Sequence, residues 1–381
     1  MGQTSKPTPQ PTPLDDDPVD CLCLIRSRRV GPVTWHRLMA EHGSARAALA
    51  ALPDVARAAG VENYATCPVE VARHEMAQGR AAGAQMITWG EASYPLALCD
   101  LPDAPPVLWV IGDASLLHRP MLALVGARNA SSLGLRMARR LAEGVAQAGL
   151  VTVSGLARGI DAAVHEATLA TGTVAVQAGG VDVTYPEENR HLMTQIAAQG
   201  CLVSEQPMGL QPQARHFPQR NRIVSGLSRA VVVVEAAARS GSLITAKTAL
   251  DQGRDVLVVP GHPFDARAAG CNILLRDGAT LIRGPADVLE SIGGAVVEFP
   301  APPPDAEELP LPGPTPARRP LTDMAAVHSQ ILARLGPSPL AEDQLIRDLS
   351  MPPATVAQHL LTLELDGRVH RAPGGLLSRL D

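Results

Sequence analysis

The sequence of 381 residues contains few aromatic residues: three tryptophans, three tyrosines and three phenylalanines. It contains only two lysines, Lys6 and Lys247, so arginine must supply most contacts to anions. No apolar run approaches the roughly 18 residues of a membrane span, and the N-terminus lacks the apolar core of a signal peptide. These absences argue against a membrane protein and predict a cytoplasmic one.

The six cysteines include no C-x-x-C pair, and only Cys21 and Cys23 are close in sequence. This pattern suggests neither a zinc knuckle nor a disulfide framework. We expect reduced, mostly buried thiols, and no metal or cofactor.

The net charge of −5 is unevenly distributed. Residues 121–283 hold 16 Lys+Arg against 12 Asp+Glu, a net charge of +4, whereas the rest of the chain holds 17 against 26, a net charge of −9. Screening confines each charge to about 10 Å, so a local cationic patch can bind phosphate on an acidic protein. The central segment is therefore the candidate binding region.

Composition and periodicity divide the chain into five segments. We predict a disordered tail (1–18), an N-terminal helical domain (19–84), a Rossmann-like core (85–298), a proline-rich linker (299–320) and a winged-helix domain (321–381). The helical domain resembles a SAM or helix-hairpin-helix module. Gly31 and Gly43 either form a phosphate-binding hairpin or simply mark helix ends, and we favour the second interpretation.

The core alternates apolar strands with amphipathic helices from Leu122 onward, and its continuous Val/Leu runs suit strands covered on both faces. This pattern predicts an α/β fold with a doubly wound parallel sheet. The predicted strands are 122–125, 151–154, 173–177, 202–204, 230–235 and 256–259, and the predicted helices are 132–148, 160–170, 188–199, 218–227 and 242–252.

The predicted winged helix carries five arginines against seven carboxylates, and its would-be recognition helix has no basic residue. Reading a DNA groove needs an electrostatic contribution that this module lacks. We therefore expect it to contact a protein. We also expect the linker to decouple it mechanically, so that deleting residues 321–381 leaves single-strand affinity nearly unchanged.

Glycine-rich loops follow four predicted strands, and they should converge on the carboxyl edge of the sheet. Three of them can present a helix N-terminus to an anion, and Arg128, Arg158 and Arg239 add positive charge. The first loop, GARNASSLG, has neither the dinucleotide-binding nor the Walker spacing. The loops therefore predict a phosphate-binding edge without NAD or ATP chemistry.

The segment FPQRNR at 217–222 places an aromatic ring between guanidinium groups in an aromatic-poor chain. A ring stacks on any nucleobase and arginines bind phosphate, so the segment favours a single-stranded nucleic acid. The alternative is that Phe217 belongs to the core and that Arg220 and Arg222 form a solvated helix face.

Four acidic or imidazole side chains are candidates for catalytic chemistry. Asp161 and His165 lie four residues apart on one helix face, but we interpret Asp161 as a helix cap that pairs locally with His165. We expect Glu205 and Glu235 to orient Arg220 or Arg222 as buried partners. No activated nucleophile is indicated, so we do not expect an enzyme.

Seven motifs occur in one order: VGAR, SGLARGID, Tyr185-Pro186, Ser204-Glu205, FPQRNR, SGSLITA and Val259-Pro-Gly261. Over about residues 95–285 the chain thereby resembles the DNA-processing protein A (DprA, also called Smf) family. The resemblance implies a cytoplasmic homodimer that binds single-stranded DNA without strong sequence preference. It also implies that the protein loads RecA during natural transformation.

The family's single-strand pocket maps onto Arg128, Ser154, Gly155, Phe217, Arg220, Asn221, Ser240 and Gly241. To these we add the nearby cations Arg158, Arg215, Arg239 and Lys247. Two lysines common in the family, shortly before the Phe and before the SGS motif, are absent here, and Arg239 can replace the second. We expect the segment 273–275 to contribute to the dimer. The alternative is a nucleotide-handling enzyme of the lysine-decarboxylase-like phosphoribohydrolase type, although SGSLITA lacks the doubled glycine and the glutamate of that group.

Overall fold

A computed structural model describes residues 16–293, 324–336, 338–372 and 376–380. The predicted proline-rich linker and residues 1–15 of the predicted tail lie outside the described residues. Within the described ranges, no helix combines the length and the apolar character that crossing a membrane requires. All six cysteines are free, and four of them are buried: Cys21, Cys23, Cys201 and Cys271.

The centre of the fold is a nine-stranded sheet with the strand order β1-β2-β6-β5-β4-β3-β7-β8-β9. The strands are β1 (Gln85–Thr88), β2 (Val107–Gly112), β3 (Met121–Val125), β4 (Val151–Ser154), β5 (Thr173–Val176), β6 (Cys201–Ser204), β7 (Ala230–Val233), β8 (Asp255–Val258) and β9 (Thr280–Leu281). The six predicted strands pair in parallel, which confirms the doubly wound arrangement.

The sheet also has an antiparallel edge that the sequence did not predict. Strand β2 pairs antiparallel with β6, and β1 pairs antiparallel with β2. The sequence of residues 85–112 predicts only short extended pieces. The partner of β2 is β6, a strand almost a hundred residues later, and no local pattern identifies such a partner. The sheet is therefore mixed rather than wholly parallel.

Helices cover both faces of the sheet. The helices of the core are α5 (Leu96–Cys99), α6 (Ser132–Gln147), α7 (Ile160–Thr168), α8 (Arg190–Gln199), α9 (His216–Gly226), α10 (Gly241–Asp251), α11 (Ala269–Arg276) and α12 (Pro285–Ser291). Successive residues of β3 alternate between two buried clusters, since Ala123 packs with α9 and α10 whereas Leu124 packs with α6 and α7. This burial on both faces explains the continuous apolar runs of the strands.

Four helices precede the sheet: α1 (Pro18–Arg26), α2 (Pro32–His42), α3 (Ala45–Ala58) and α4 (Val69–Ala81). Helix α2 begins directly after Gly31 and ends before Gly43, whose φ of 76° is left-handed. The predicted disordered tail is too long by at least one residue, because the Asp17 side chain accepts a hydrogen bond from the Val19 amide and caps α1.

A buried carboxylate joins these helices to the sheet. Glu75 in α4 accepts hydrogen bonds from Arg26 in α1, at 2.8 and 2.9 Å, and from the Trp109 indole N–H in β2, at 2.8 Å. Gly79, one turn further along α4, leaves space for the Trp109 ring, which would lie 2.3 Å from a Cβ at this position. The helical segment therefore packs directly on the antiparallel edge of the sheet.

The C-terminal segment has the predicted winged-helix order. It consists of α13 (Met324–Arg334), β10 (Leu340–Ala341), α14 (Glu342–Leu349), α15 (Pro353–Leu365), β11 (Val369–Ala372) and β12 (Leu376–Arg379). The three strands form a small antiparallel sheet, and the helices enclose a separate apolar core that includes Ile331 and Leu360.

The winged helix is not decoupled from the core, in contrast to the expectation from the sequence. Arg267 of the core donates to the carbonyl oxygens of Ala333 and Leu335 at the end of α13, the latter at 2.8 Å. In return, Arg334 donates to the Ala130 carbonyl oxygen at 2.9 Å. The last carbonyls of a helix lack partners within the helix, so they readily accept from an arginine of a neighbouring segment.

Candidate nucleic-acid interface

A cavity of about 600 Å³ opens at the carboxyl edge of the parallel strands. It lies where the strand order reverses, between the loop after β3 and the loop after β7, which is where open α/β sheets bind ligands. Most of its lining comes from five places: the loops after β3, β4 and β7, and the N-terminal parts of α9 and α10. Three of the four glycine-rich loops that were predicted to converge thus meet at this cavity, whereas Gly179 of the fourth lines a second, smaller cavity.

Helix α9 brings the FPQRNR segment to this cavity. Phe217, Arg220, Asn221 and Val224 line the cavity, and their spacing of three and four residues puts them on one helix face. Phe217 is half-buried, and the guanidinium carbon of Arg128 lies 5.2 Å from the centre of its ring. A cation at this distance is attracted to the face of the ring. The ring is therefore partly covered by an exposed, positively charged side chain.

Arg220 is the buried centre of the site, with 6% of the residue exposed. Its Nη1 donates to the carbonyl oxygen of Val176 at the end of β5, at 2.6 Å. Its Nε finds no acceptor among the described residues. Burial lowers the pKa of Arg220 to about 10, and the nearby carboxylate of Asp161 opposes that change. Arg220 remains a cation at neutral pH.

The loop after β4 is shaped by Asp161. Its carboxylate accepts from the amides of Gly155 and Ala157, at 3.1 and 3.3 Å, and it is buried. Burial raises the pKa of Asp161, while Arg220 and the two amides lower it. Within this loop Leu156 has a φ of 55°, an unusual conformation for leucine, and its carbonyl oxygen accepts from the Asn189 side chain at 2.9 Å. The loop is thus fixed without any ligand.

Asp161 and His165 do not pair, contrary to the expectation from their spacing. His165 is fully buried, and its Nδ1 lies 2.7 Å from the Thr173 hydroxyl. Burial lowers the pKa of His165 to about 3, so the ring is neutral at physiological pH. The two side chains serve different contacts, and neither acts as the acid or base of a pair.

The two strand-end glutamates also have different partners. Glu205 pairs with Arg222, as expected, and Asp103 lies 3.4 Å from the same guanidinium. Glu235 instead accepts from the amide and hydroxyl of Ser131 and lies 3.7 Å from Arg267, so its predicted pairing with Arg220 or Arg222 is wrong. Sequence reasoning could not separate Arg220 from Arg222, which lie on opposite faces of α9.

Helix α10 adds an exposed N-terminus to the cavity. The Ser240 hydroxyl caps the helix by accepting from the Ser242 amide at 3.2 Å, and Ser242 donates to the Gly126 carbonyl oxygen at 2.8 Å. A Cβ added to Gly241 would meet no atom within 4 Å. Arg239 is exposed beside this turn. The positive end of the helix and the arginine together favour an anion.

The remaining predicted binding residues lie at different depths. Ser154 is fully buried and donates to the Leu124 carbonyl oxygen at 2.7 Å, so it supports the loop from below. Arg158 lies 3.4 Å from Glu188 and lines a second, smaller cavity. Arg215 and Lys247 are exposed and line neither of these two cavities.

Sequence reasoning missed two groups that line the cavities. Arg267 lines the larger cavity, although its sequence context, DARAAG, carries no signal. Tyr185 lines the smaller one, and its presence in an aromatic-poor chain was a signal that could have been used. The described residues contain no group of three or more His, Cys, Asp or Glu side chains that could hold a metal.

Three family models match the sequence. The DNA recombination-mediator protein A model matches residues 85–293, the model of a DprA-like N-terminal HHH domain matches residues 15–78, and the DprA winged helix domain model matches residues 312–375. Protein Smf of Synechocystis sp. is 37% identical over 319 residues, covering 76% of this chain and 79% of its own. Protein Smf of Escherichia coli is 37% identical over 291 residues, covering 74% of each chain.

Two solved structures share the core fold. The structure of DNA processing protein A from Streptococcus pneumoniae has a TM-score of 0.55 and 38% identity, covering 63% of this chain and 86% of its own. The corresponding protein from Helicobacter pylori, whose structure concerns its mode of binding single-stranded DNA, has a TM-score of 0.51 and 30% identity. That match covers 55% of this chain and 97% of the other.

Gly155→Ala should destabilise the protein by displacing Arg220. The new Cβ would lie 1.9 Å from Nη1 and 2.4 Å from Cζ of Arg220. The guanidinium must then leave the Val176 carbonyl oxygen, and an unsatisfied buried polar group costs about 1–3 kcal/mol. Denaturant unfolding measures the difference. Gly241→Ala is the control, because it meets no neighbour. Equal stability of the two variants would contradict the assigned position of Arg220.

Proposed function

The chain belongs to the DNA recombination-mediator protein A family, and from that premise we propose that it binds single-stranded DNA as a recombination mediator. In this proposal the protein works in the cytoplasm, is not an enzyme and does not read sequence. Its binding residues are those predicted above, with Phe217, Arg128 and Arg220 at the centre. The relative from Helicobacter pylori, which binds single-stranded DNA, supports the choice of ligand.

The single observation that carries this proposal is the arrangement of Phe217 between Arg128 and Arg220 at the edge of the sheet. The Arg128 guanidinium lies over the ring, and Arg220 follows Phe217 by one helix turn. A base that stacks on the ring brings its phosphate towards these cations and towards the N-terminus of α10. Stacking tolerates every base, so such a site binds strands without sequence preference.

Arg128 has a specific part in this mechanism. In the free protein its guanidinium lies on the face of the Phe217 ring, which an incoming base needs. The base replaces this contact, and the released arginine moves to the backbone phosphate. The exchange costs little, because a cation–π contact at an accessible site contributes only about 0.5–1 kcal/mol.

The carboxylates and the histidine near the cavity support a role other than catalysis. Asp161 is occupied by two backbone amides, Glu235 by Ser131, and His165 is buried and neutral. The alternative, a phosphoribohydrolase-like enzyme, requires a free glutamate after the fifth strand of the predicted core. No observation on the described residues favours it over single-strand binding.

The partners are also proposals. We propose that the protein loads RecA onto the bound strand during natural transformation and that the winged helix contacts a protein. RecA loading is tested by measuring the lag before RecA hydrolyses ATP on single-stranded DNA that is covered by a single-strand-binding protein. The full chain should shorten the lag, and an unchanged lag would contradict RecA loading.

We propose that the protein is a homodimer that joins two strand-binding sites. Ile273 of α11 is 37% exposed, whereas Leu274 and Leu275 pack partly against the core. Sedimentation at micromolar concentration should show a dimer, and Ile273→Asp should shift it towards the monomer. Leu250→Asp, at another exposed apolar position, is the control. A monomeric wild type would contradict the proposal, and so would equal behaviour of the two variants.

Phe217→Ala should weaken single-strand binding by about 1–3 kcal/mol per stacked base and leave duplex binding nearly unchanged, because only unpaired bases expose their faces. Affinities for oligo-dT, a duplex of equal length and AMP are measured at one salt concentration. Phe264→Ala is the control, since Phe264 is 77% exposed and lines neither cavity. An equal loss on both DNA forms would contradict stacking, and tight binding of AMP alone would favour the enzyme.

A further inference from the structure

A second cavity of about 320 Å³ adjoins the first. Arg128, Phe217 and Arg220 line both cavities and so form the wall between them. The opposite side of the smaller cavity comes from the segment 184–188, which follows β5 and includes Tyr185. The single-strand site proposed above accounts for the larger cavity and leaves this one without a ligand.

Tyr185 gives the smaller cavity an aromatic side chain of its own. It is 44% exposed, and the centre of its ring lies 5.5 Å from the centre of the Phe217 ring. The two ring planes are inclined by 51°, so both rings cannot lie flat on the same base. If both rings stack on bases, they therefore stack on two different bases.

The segment that carries Tyr185 is held in place before any ligand arrives. Asn189 donates to the Leu156 carbonyl oxygen, which ties this segment to the loop after β4. The acidic side chains beside Tyr185 have cationic partners, because Glu187 pairs with Arg190 and Glu188 with Arg158. A phosphodiester backbone near this cavity therefore does not face unpaired carboxylates from this segment.

Arg220 supplies an independent indication of a ligand. It is more than nine-tenths buried, it lines both cavities, and its Nε has no acceptor among the described residues. Buried polar groups without partners are uncommon, because each loses the hydrogen bond that water would provide. Nε itself is closed to solvent, but the guanidinium donates only once among the described residues, to the Val176 carbonyl oxygen, so a phosphate positioned between the two cavities would supply further acceptors.

We propose that the smaller cavity is a second nucleobase subsite, in which one base stacks on Tyr185 while its neighbour in the strand stacks on Phe217. Arg220 lies between the two bases and is the cation for the phosphate that links them. This proposal rests on the proposed single-strand function. It adds Tyr185 as a binding residue and predicts that the two cavities together hold successive nucleotides.

The test compares the full-length wild type with Tyr185→Ala, Tyr185→Phe and Tyr185→Leu. Affinity is measured for an oligo-dT series of increasing length. Tyr185→Ala and Tyr185→Leu should each weaken binding about tenfold, because both remove the ring, and Tyr185→Phe should stay within about twofold of the wild type. The slope of log affinity against log salt should not change, since stacking releases no counterions. Tyr185 is exposed, so all three variants should fold.

A second measurement reports stacking directly. A 2-aminopurine base placed in the strand loses fluorescence when it stacks, and binding by the wild type should quench it. Quenching at one strand position should depend on Tyr185 and at the adjacent position on Phe217. Phe264→Ala should behave as the wild type in both measurements, because this exposed ring lines neither cavity.

The outcomes separate this inference from the function on which it rests. If Phe217→Ala weakens binding but Tyr185→Leu does not, the strand uses only the larger cavity and the second subsite is wrong. If AMP alone displaces oligo-dT at similar concentration, the smaller cavity is a mononucleotide site and the inference is also wrong. If the wild type binds no single strand, the proposed function itself fails.

Discussion

The burial of Arg220 is the constraint on which the geometry of the site depends. A guanidinium can be removed from water only if carbonyls and carboxylates surround it, and here Val176 and Asp161 supply them. The position leaves no space for a side chain at residue 155, so the loop after β4 must start with glycine. The same Asp161 that faces Arg220 also holds the amides of this loop. One buried cation thereby fixes the loop and the start of α9 relative to each other.

Because of the helical period of α9, the two arginines of FPQRNR lie on different faces of the helix and have different contacts. Arg220 follows Phe217 by three residues and lines the same cavity. Arg222 lies on the other face, where Glu205 and Asp103 neutralise it and a separate cavity adjoins the N-terminal helices. The alternative interpretation from the sequence, in which both arginines form a solvated helix face, is therefore wrong, because both are buried, and strand binding by this segment stays a prediction. The difference between the arginines depends on contacts with residues far away in sequence.

Local patterns were sufficient for most of the fold. The valine runs of β7 and β8 identified buried parallel strands, and glycine-rich turns located the carboxyl edge where the cavity lies. Long-range pairing was not predictable in this way. The antiparallel β2, the contact of Glu235 with Ser131 and the separation of Asp161 from His165 all depend on residues brought together only by the tertiary structure. Such partners carry no signal in a single sequence.

Because a single sequence does not reveal long-range contacts, the N-terminal helices, the core and the winged helix were predicted to be independent. Composition predicted boundaries near residues 84 and 299, yet Glu75 and Arg267 join the flanking segments to the core through hydrogen bonds. Arg267 also lines the larger cavity and approaches Glu235, which in turn accepts from Ser131 at the start of α6. A movement of the winged helix would therefore change the surroundings of a cation at the rim of the cavity. Arg267 therefore couples the winged helix physically to the larger cavity.

The chain contains few aromatic residues, yet two of them, Tyr185 and Phe217, line the cavities. Three of the other large rings serve packing, since Trp35, Trp109 and Tyr94 are almost fully buried, whereas Phe264 is exposed away from both cavities. A core needs only apolar volume, which the many aliphatic residues of this chain supply elsewhere. An exposed ring adds no buried volume to a core and leaves an apolar surface in contact with water. In the proposed function, Tyr185 and Phe217 differ from Phe264 in that each lines a cavity where one unpaired base can stack on its ring.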